Sequence, residues 1–453
     1  MTSVAELIRG AVASENAASE DVLERSAPDS IVLERVAPDS AKAPHRRPIV
    51  LRATGLSSCD SGLSSDPWAI DRAPGYGPGA SVADEIPGDA PRQAPLPARY
   101  TEASEEELDR WILEAKATLG DRVRILGHFY QRDEIVKYAD FVGDSFMLAQ
   151  AAKGHPEAEA FVFCGVHFMA ETADILSTPE QAVILPNLAA GCSMADMATI
   201  EQVEDCWREL TAVLGPQPAI PVTYMNSSAA IKAFCGRNGG IVCTSSNART
   251  VLEWAFERGE RVVFFPDQHL GRNTAKAMGI GEERMPLWRP HLPLGGNDER
   301  ALRDAKVILW NGFCSVHKRF TVEQIDRARA EFPGVRVIVH PECPAAVVEA
   351  ADGNGSTEYI RRQIEEASPG DVLAVGTEIN LVNRLQQQHP ELTIFCLDPV
   401  VCPCSTMYRI HPAYLAWTLE SLVAGETPNR IRVSGDVATE SRVALERMLA
   451  AKP

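Results

Sequence analysis

Between residues 123 and 404 one pattern is written three times, and that repetition restricts the chain to folds made of three like units. Three apolar, β-rich runs end alike. "RVRILGHFY" leads to His128 and Tyr130, "AIPVTYMN" to Tyr224, Met225 and Asn226, and "VRVIVHPE" to His340, Pro341 and Glu342. Each reads as a buried strand whose C-terminal end opens into a polar loop. A small hydroxyl follows each: 17 residues separate His128 from Ser145, 17 separate His340 from Thr357, and 21 separate Tyr224 from Ser245. All three stand ahead of helical sequence, where free N–H groups and the helix dipole favour anions. A second strand then ends in an acid, Glu171, Asp267 or Glu378, and a third follows in "AVIL", "KVILW" or "LTIF".

Each unit closes on a cysteine, Cys192 in "AGCSMAD", Cys314 in "NGFCSVH", and one of the pair in "CPCSTM". His128 to Cys192 is 64 residues; His340 to Cys404 is also 64, and Cys402 would give 62, so the register selects Cys404. The middle unit, at 90 residues from Tyr224 to Cys314, carries its excess in "CGRNGG" and in the stretch from Thr274 to Asp298. Strand, helix, strand, helix, strand at this spacing predicts an α/β chain with short parallel sheets and right-handed crossovers. Ligands on such layers bind beyond the carboxyl ends of the strands. Three copies with their polar residues at those ends predict one shared central site, with one cysteine from each unit. Three thiolates without a fourth suit zinc with an open position, or a [4Fe–4S] cluster with one iron free. Cys164, Cys206, Cys235, Cys243, Cys343 and Cys396 read as core, and Cys402 as core or a redox neighbour.

Residues 1–97 differ: "VLERSAPDS" recurs ten residues on as "VLERVAPDS", and a Ser/Pro/Gly/Asp-rich run follows. Such composition buries too little to offset chain entropy, which predicts a disordered low-complexity arm with at most a short helix over 4–13 and an exposed Cys59. The repeat then divides the remainder into units over 98–200, 201–322 and 323–404, with C-terminal helices over 405–453 packing back on the core. A net charge of −18 leaves no basic face for nucleic acid. No apolar stretch is long enough for a membrane span, and no secretory or organellar leader is recognisable. The expectation is a soluble, cytoplasmic protein.

The motifs "GHFYQ", "ADFVGDS", "GVHFMAETADIL", "AGCSMADMA", "VTYMNSSAAIKA", "CTSSNA", "FFPDQHLGRN", "WNGFCSVH", "HPEC", "GSTEYI", "VGTEINLVNRL" and "CPCSTM", spread over residues 105–425, resemble the quinolinate synthase family, in its larger-insert branch. The resemblance implies three pseudo-symmetric, three-layer α/β/α domains around one [4Fe–4S] cluster per subunit, held by Cys192, Cys314 and Cys404. It implies condensation of iminosuccinate with dihydroxyacetone phosphate to quinolinate in NAD biosynthesis, with L-aspartate oxidase or aspartate dehydrogenase upstream. Substrate binding falls to His128, Ser145, Tyr224, Met225, Asn226, Ser245, His340, Pro341, Glu342 and Thr357, and proton handling to Glu342, His128, Tyr130 and His340. Glu342 is expected to be the principal base, its pKa raised toward neutrality by burial.

Overall fold

A computed structural model describes residues 95–399 and 403–451. The arm (apart from its last three residues), the helix over 4–13, Cys59 and Cys402 lie outside the described residues.

The first unit begins with α1 (Glu105–Leu119), started by a reciprocal capping box between Ser104 and Glu107. It continues through β1 (Val123–His128), β2 (Phe141–Gly143), α2 (Ser145–Gly154), β3 (Ala160–Cys164), α3 (His167–Leu176) and β4 (Ala182–Ile184). The second runs from α4 (Ile200–Leu214) through β5 (Ile220–Tyr224), α5 (Ala229–Arg237), β6 (Ile241–Cys243), α6 (Ala248–Phe256), β7 (Val262–Phe265), α7 (Gln268–Ala277) and β8 (Leu287–Trp288) to β9 (Val307–Trp310). The third comprises α8 (Val322–Glu331), β10 (Arg336–Val339), β11 (Gly353–Asn354), α9 (Thr357–Glu365), β12 (Val372–Gly376), α10 (Ile379–Gln388) and β13 (Thr393–Cys396). Helix α11 (Pro412–Val423), β14 (Arg430–Ile431) and α12 (Gly435–Ala450) complete the chain.

The three sheets share one order. They read β2-β1-β3-β4-β14, β6-β5-β7-β9-β8 and β11-β10-β12-β13, and every pairing is parallel except β14 on β4. This is the mixed α/β architecture the repeat predicts, with one addition. The short strands β2, β6 and β11 intervene between the first strand and the hydroxyl in each unit. Two or three residues carry no legible periodicity, so a three-strand pattern was all the sequence displayed. Glu171 also differs from expectation: it lies within α3, because that helix starts at His167, only three residues after β3 ends.

The first two units share one continuous apolar core with α11 and α12. The third sheet is buried on both faces, one around Ile338, Ile360 and Leu381, the other around Ile325, Val337 and Phe395. Phe129, which follows β1 of the first unit, packs into the first of these. The units are therefore keyed into one another at the strand ends.

Candidate active site

All three cysteines sit in the same local structure. Each precedes a one-turn 3-10 helix that starts three residues later, at Ala195, His317 and Met407. In each turn the residue four positions on donates its N–H to the cysteine carbonyl: Asp196 to Cys192 at 3.1 Å, Lys318 to Cys314 at 3.0 Å, Tyr408 to Cys404 at 3.0 Å. The sulfurs in turn face backbone N–H groups of Ala195, His317 and Met407, which favours thiolate. Cys404 is thus the structural counterpart of the other two.

The three turns open onto one cavity of roughly 670 Å³, counting its mouth, which lies at the strand ends of all three sheets. Cys192, Cys314 and Cys404 line it together with His128, Tyr130, Ser145, Tyr224, Asn226, Ser245, His340, Glu342 and Thr357. Met225 and Pro341 are not on its wall; they stand behind it. Met225 accepts a contact from Thr172 through its sulfur, and Pro341 accepts from Asn273 Nδ2 at 2.8 Å.

Glu342 is the centre of the polar wall and is 3% exposed. Tyr224 Oη donates to its Oε1 at 2.6 Å, and His317 Nδ1 donates to its Oε2 at 2.9 Å. The His340 ring stacks on His317 with centroids 4.5 Å apart. Burial alone would raise the Glu342 carboxyl; the neighbouring His317 and His340 and the two hydrogen bonds outweigh it and hold the group below the usual carboxylate range. The expectation of a raised pKa is therefore reversed at Glu342. Burial does lift Glu378, to about 7; its Oε1 accepts from the Cys404 N–H at 3.1 Å.

A chain of contacts continues from Glu342 around the cavity. His317 Nε2 lies 3.2 Å from Thr377 Oγ1, which is 2.7 Å from Tyr130 Oη. The path Tyr224–Glu342–His317–Thr377–Tyr130 crosses all three units. His128 and His340 are each held down to about 3, by burial first, then by Arg384 for His128 and by His317 for His340, so both are neutral near pH 7. Thr357 Oγ1 is buried in the wall with no hydrogen-bond partner among the described residues. Ser145 and Thr357 are the first residues of α2 and α9, and Ser245 precedes α6 by three.

His317 and Thr377 were not singled out from sequence, whereas Glu378 was, as the acid closing the second strand of its unit, and it caps α10 by accepting from the Asn380 N–H. His317 has no polar counterpart in the other turns, where Ala195 and Met407 stand. The signal that could have found Thr377 is its place directly after β12, where β1 and β5 also deliver polar residues.

The chemistry of the donor set suits a thiolate-held metal group. Three unpaired thiols, each backed by N–H groups, share one wall. Burial raises all three, and the charges of Glu342, then of Cys404 and Cys192, raise Cys314 further, a repulsion that a bound cation would invert. Among the described residues, the group of three donors within 4.8 Å of one another is Cys314, His317 and Glu342, not the three sulfurs.

The family model described as "Quinolinate synthetase A protein" matches residues 111–450. The quinolinate synthase of Corynebacterium glutamicum is 70% identical over 378 residues, 83% of this chain and 96% of the relative. Those of Rhodopirellula baltica and Acidobacterium capsulatum are 53% identical over 78% of the chain and 55% over 77%, covering 93% and 94% of their own lengths. A fold of three like α/β layers, three equivalent cysteine turns and a match over most of the chain agree, and the chain belongs to the quinolinate synthase family.

Proposed function

We propose that this chain is a quinolinate synthase. It joins iminosuccinate to dihydroxyacetone phosphate and releases quinolinate, phosphate and two waters, with no net redox change. Cys192, Cys314 and Cys404 hold a [4Fe–4S] cluster. When bound, that group supplies a Lewis acid at its uncoordinated iron. The observation that carries the reading is the threefold cysteine turn on the same cavity as Glu342.

The remaining chemistry belongs to side chains. The substrates bring carboxylates and a phosphate, and the hydroxyls of Ser145, Ser245 and Thr357 meet them at helix starts, where N–H groups and dipoles favour negative charge. Glu342, kept ionised, takes a proton from the carbon of the triose that must become a nucleophile. The Tyr224 phenol, raised well above its ordinary range by burial and by Glu342, stays protonated, and donates to whichever oxygen develops charge. His128 and His340, neutral, can accept or give a proton as the hydroxyls leave as water. Asn226 orients the imine-bearing acid. An aspartate-oxidising or aspartate-dehydrogenating enzyme supplies that substrate.

The test is anaerobic cluster reconstitution of the full-length chain, followed by quinolinate detection from the two substrates. Wild type should be brown and active, and Cys192→Ser, Cys314→Ser and Cys404→Ser each colourless and inactive. A colourless wild type that still makes quinolinate would refute the cluster reading.

A further inference from the structure

Cys314, His317 and Glu342 form a tighter group than a cluster needs. Their sulfur, nitrogen and oxygen donors lie within 4.8 Å of one another, and all three residues line the cavity, which gives an ion its way in. We propose that these residues make a mononuclear site for a borderline-soft divalent cation, zinc foremost, in the chain without its cluster, so that zinc and cluster compete for Cys314.

The donor set is the kind zinc takes, one thiolate, one imidazole and one carboxylate at about 2.0–2.3 Å, with a further position facing the cavity. Few side chains would need to move, since His317 Nδ1 and a Glu342 oxygen are already 2.9 Å apart. The outer support is also built. The far nitrogen of His317 has Thr377 Oγ1 at 3.2 Å, and the other oxygen of Glu342 holds the Tyr224 hydroxyl at 2.6 Å. Such partners fix a ligand's tautomer and orientation. Proton accounting is simple. Cys314 releases its proton to solvent, and the proton that His317 gives to Glu342 moves to Nε2, where Thr377 accepts it. Zinc so held would occupy one cluster sulfur and the proposed base together. The competition rests on the cluster reading; the site itself does not.

The full-length chain, cluster-free and cluster-loaded, is titrated anaerobically with Co2+ and then Zn2+. The cluster-free chain should bind one Co2+ with the charge-transfer band of a single thiolate and the visible bands of a tetrahedral ion, and Zn2+ should displace it. His317→Ala and Glu342→Gln should weaken binding by at least ~10-fold, and Thr377→Val, which spares the donors, by ~10-fold. Cys192→Ser and Cys404→Ser should leave the band in place, and the loaded chain should take up no Co2+. A band of three-thiolate intensity, its loss in Cys192→Ser, or unchanged affinity in His317→Ala would overturn the proposal. If the chain accepts no cluster at all yet binds Co2+ in this way, the site stands and the cluster reading fails.

Discussion

Glu342 is a buried carboxylate that its neighbours keep charged. Two donors and two imidazole rings surround it. Glu342→Gln retains the shape and still accepts from Tyr224, but it cannot take a proton. Turnover should fall by ~10²–10⁴, the range of a lost general base, while visible absorption of the reconstituted cluster stays unchanged. A variant within a factor of two of wild type would remove Glu342 from the proton-transfer role. His411 offers a cleaner test of charge and stability, because it is not on the cavity wall. It caps α11, its Nδ1 accepting from the Ala413 N–H at 3.2 Å, and burial with the adjacent Arg132 lowers its pKa from 6.5 to about 3. Between those values the unfolded chain binds a proton that the folded chain refuses, so stability falls as pH drops, by about 1.4 kcal/mol per pH unit at most. His411→Asn preserves a capping side chain and removes the titration. Chemical denaturation of the two proteins should give a shallower acid slope for the variant between pH 6 and 4, and matching values above pH 7.5.

At the scale of elements, the site is assembled by struts that cross between units. Arg384 of α10, in the third unit, reaches the loop after β1 in the first: it donates to Phe129 O at 2.9 Å, to Gln131 O, and to Asp133 Oδ1 at 2.7 Å. Asn380 on the same helix donates to Tyr130 O at 3.3 Å. The loop carrying His128 and Tyr130 is thus positioned from outside its own sheet. Lysine cannot reproduce a three-way fork. Arg384→Lys should cut kcat ten-fold or more with cluster content intact, since a misplacement of about 1 Å can cost ~10² in rate. If kcat is unchanged and only thermal stability falls, Arg384 merely holds the units together. Similar struts join the cysteine turns: Trp310 Nε1 donates to Met197 O at 2.7 Å, and Arg409 donates to Ala189 O. None of these was legible in sequence. Spacing exposed what recurs within each unit, namely the strand-end residues, the hydroxyls and Cys404 against Cys402. Contacts between units obey no period. Hence His317 and Thr377, which complete the path from Tyr224 to Tyr130, came only with the fold. Glu171 was misread for a related reason: "VFCGVHFMAE" is apolar across the change from strand to helix, and period alone cannot mark that boundary.

On the scale of the whole molecule, the segment that follows the third unit fastens the other two. Strand β14 adds to the first sheet beside β4, α11 packs on α1, and α12 lies along α5 and β6 of the second unit. The fastening is polar as well as apolar. Ser441 Oγ donates to Ala229 O at 2.8 Å, Asn247 Nδ2 donates to Ala451 O at 3.0 Å, and Arg447 donates to Gly240 O. The helices approach so closely that a Cβ on Gly236 would stand 1.9 Å from Glu440 O, a backbone atom that cannot swing aside. Gly236→Ala should therefore force α12 off α5 at a cost of about 1–3 kcal/mol, despite alanine's better helix propensity. Gly154, also in a helix, has nothing within 4 Å of its would-be Cβ, so Gly154→Ala should be neutral or slightly stabilising. Calorimetry on the pair separates packing from propensity. The first two units share their core with α12, so the loosening should lower the midpoint of their common transition rather than release the last helix alone. A separate low-temperature transition with the main midpoint unmoved would mean that α12 is an appendage, and that the two units close around the cavity without it.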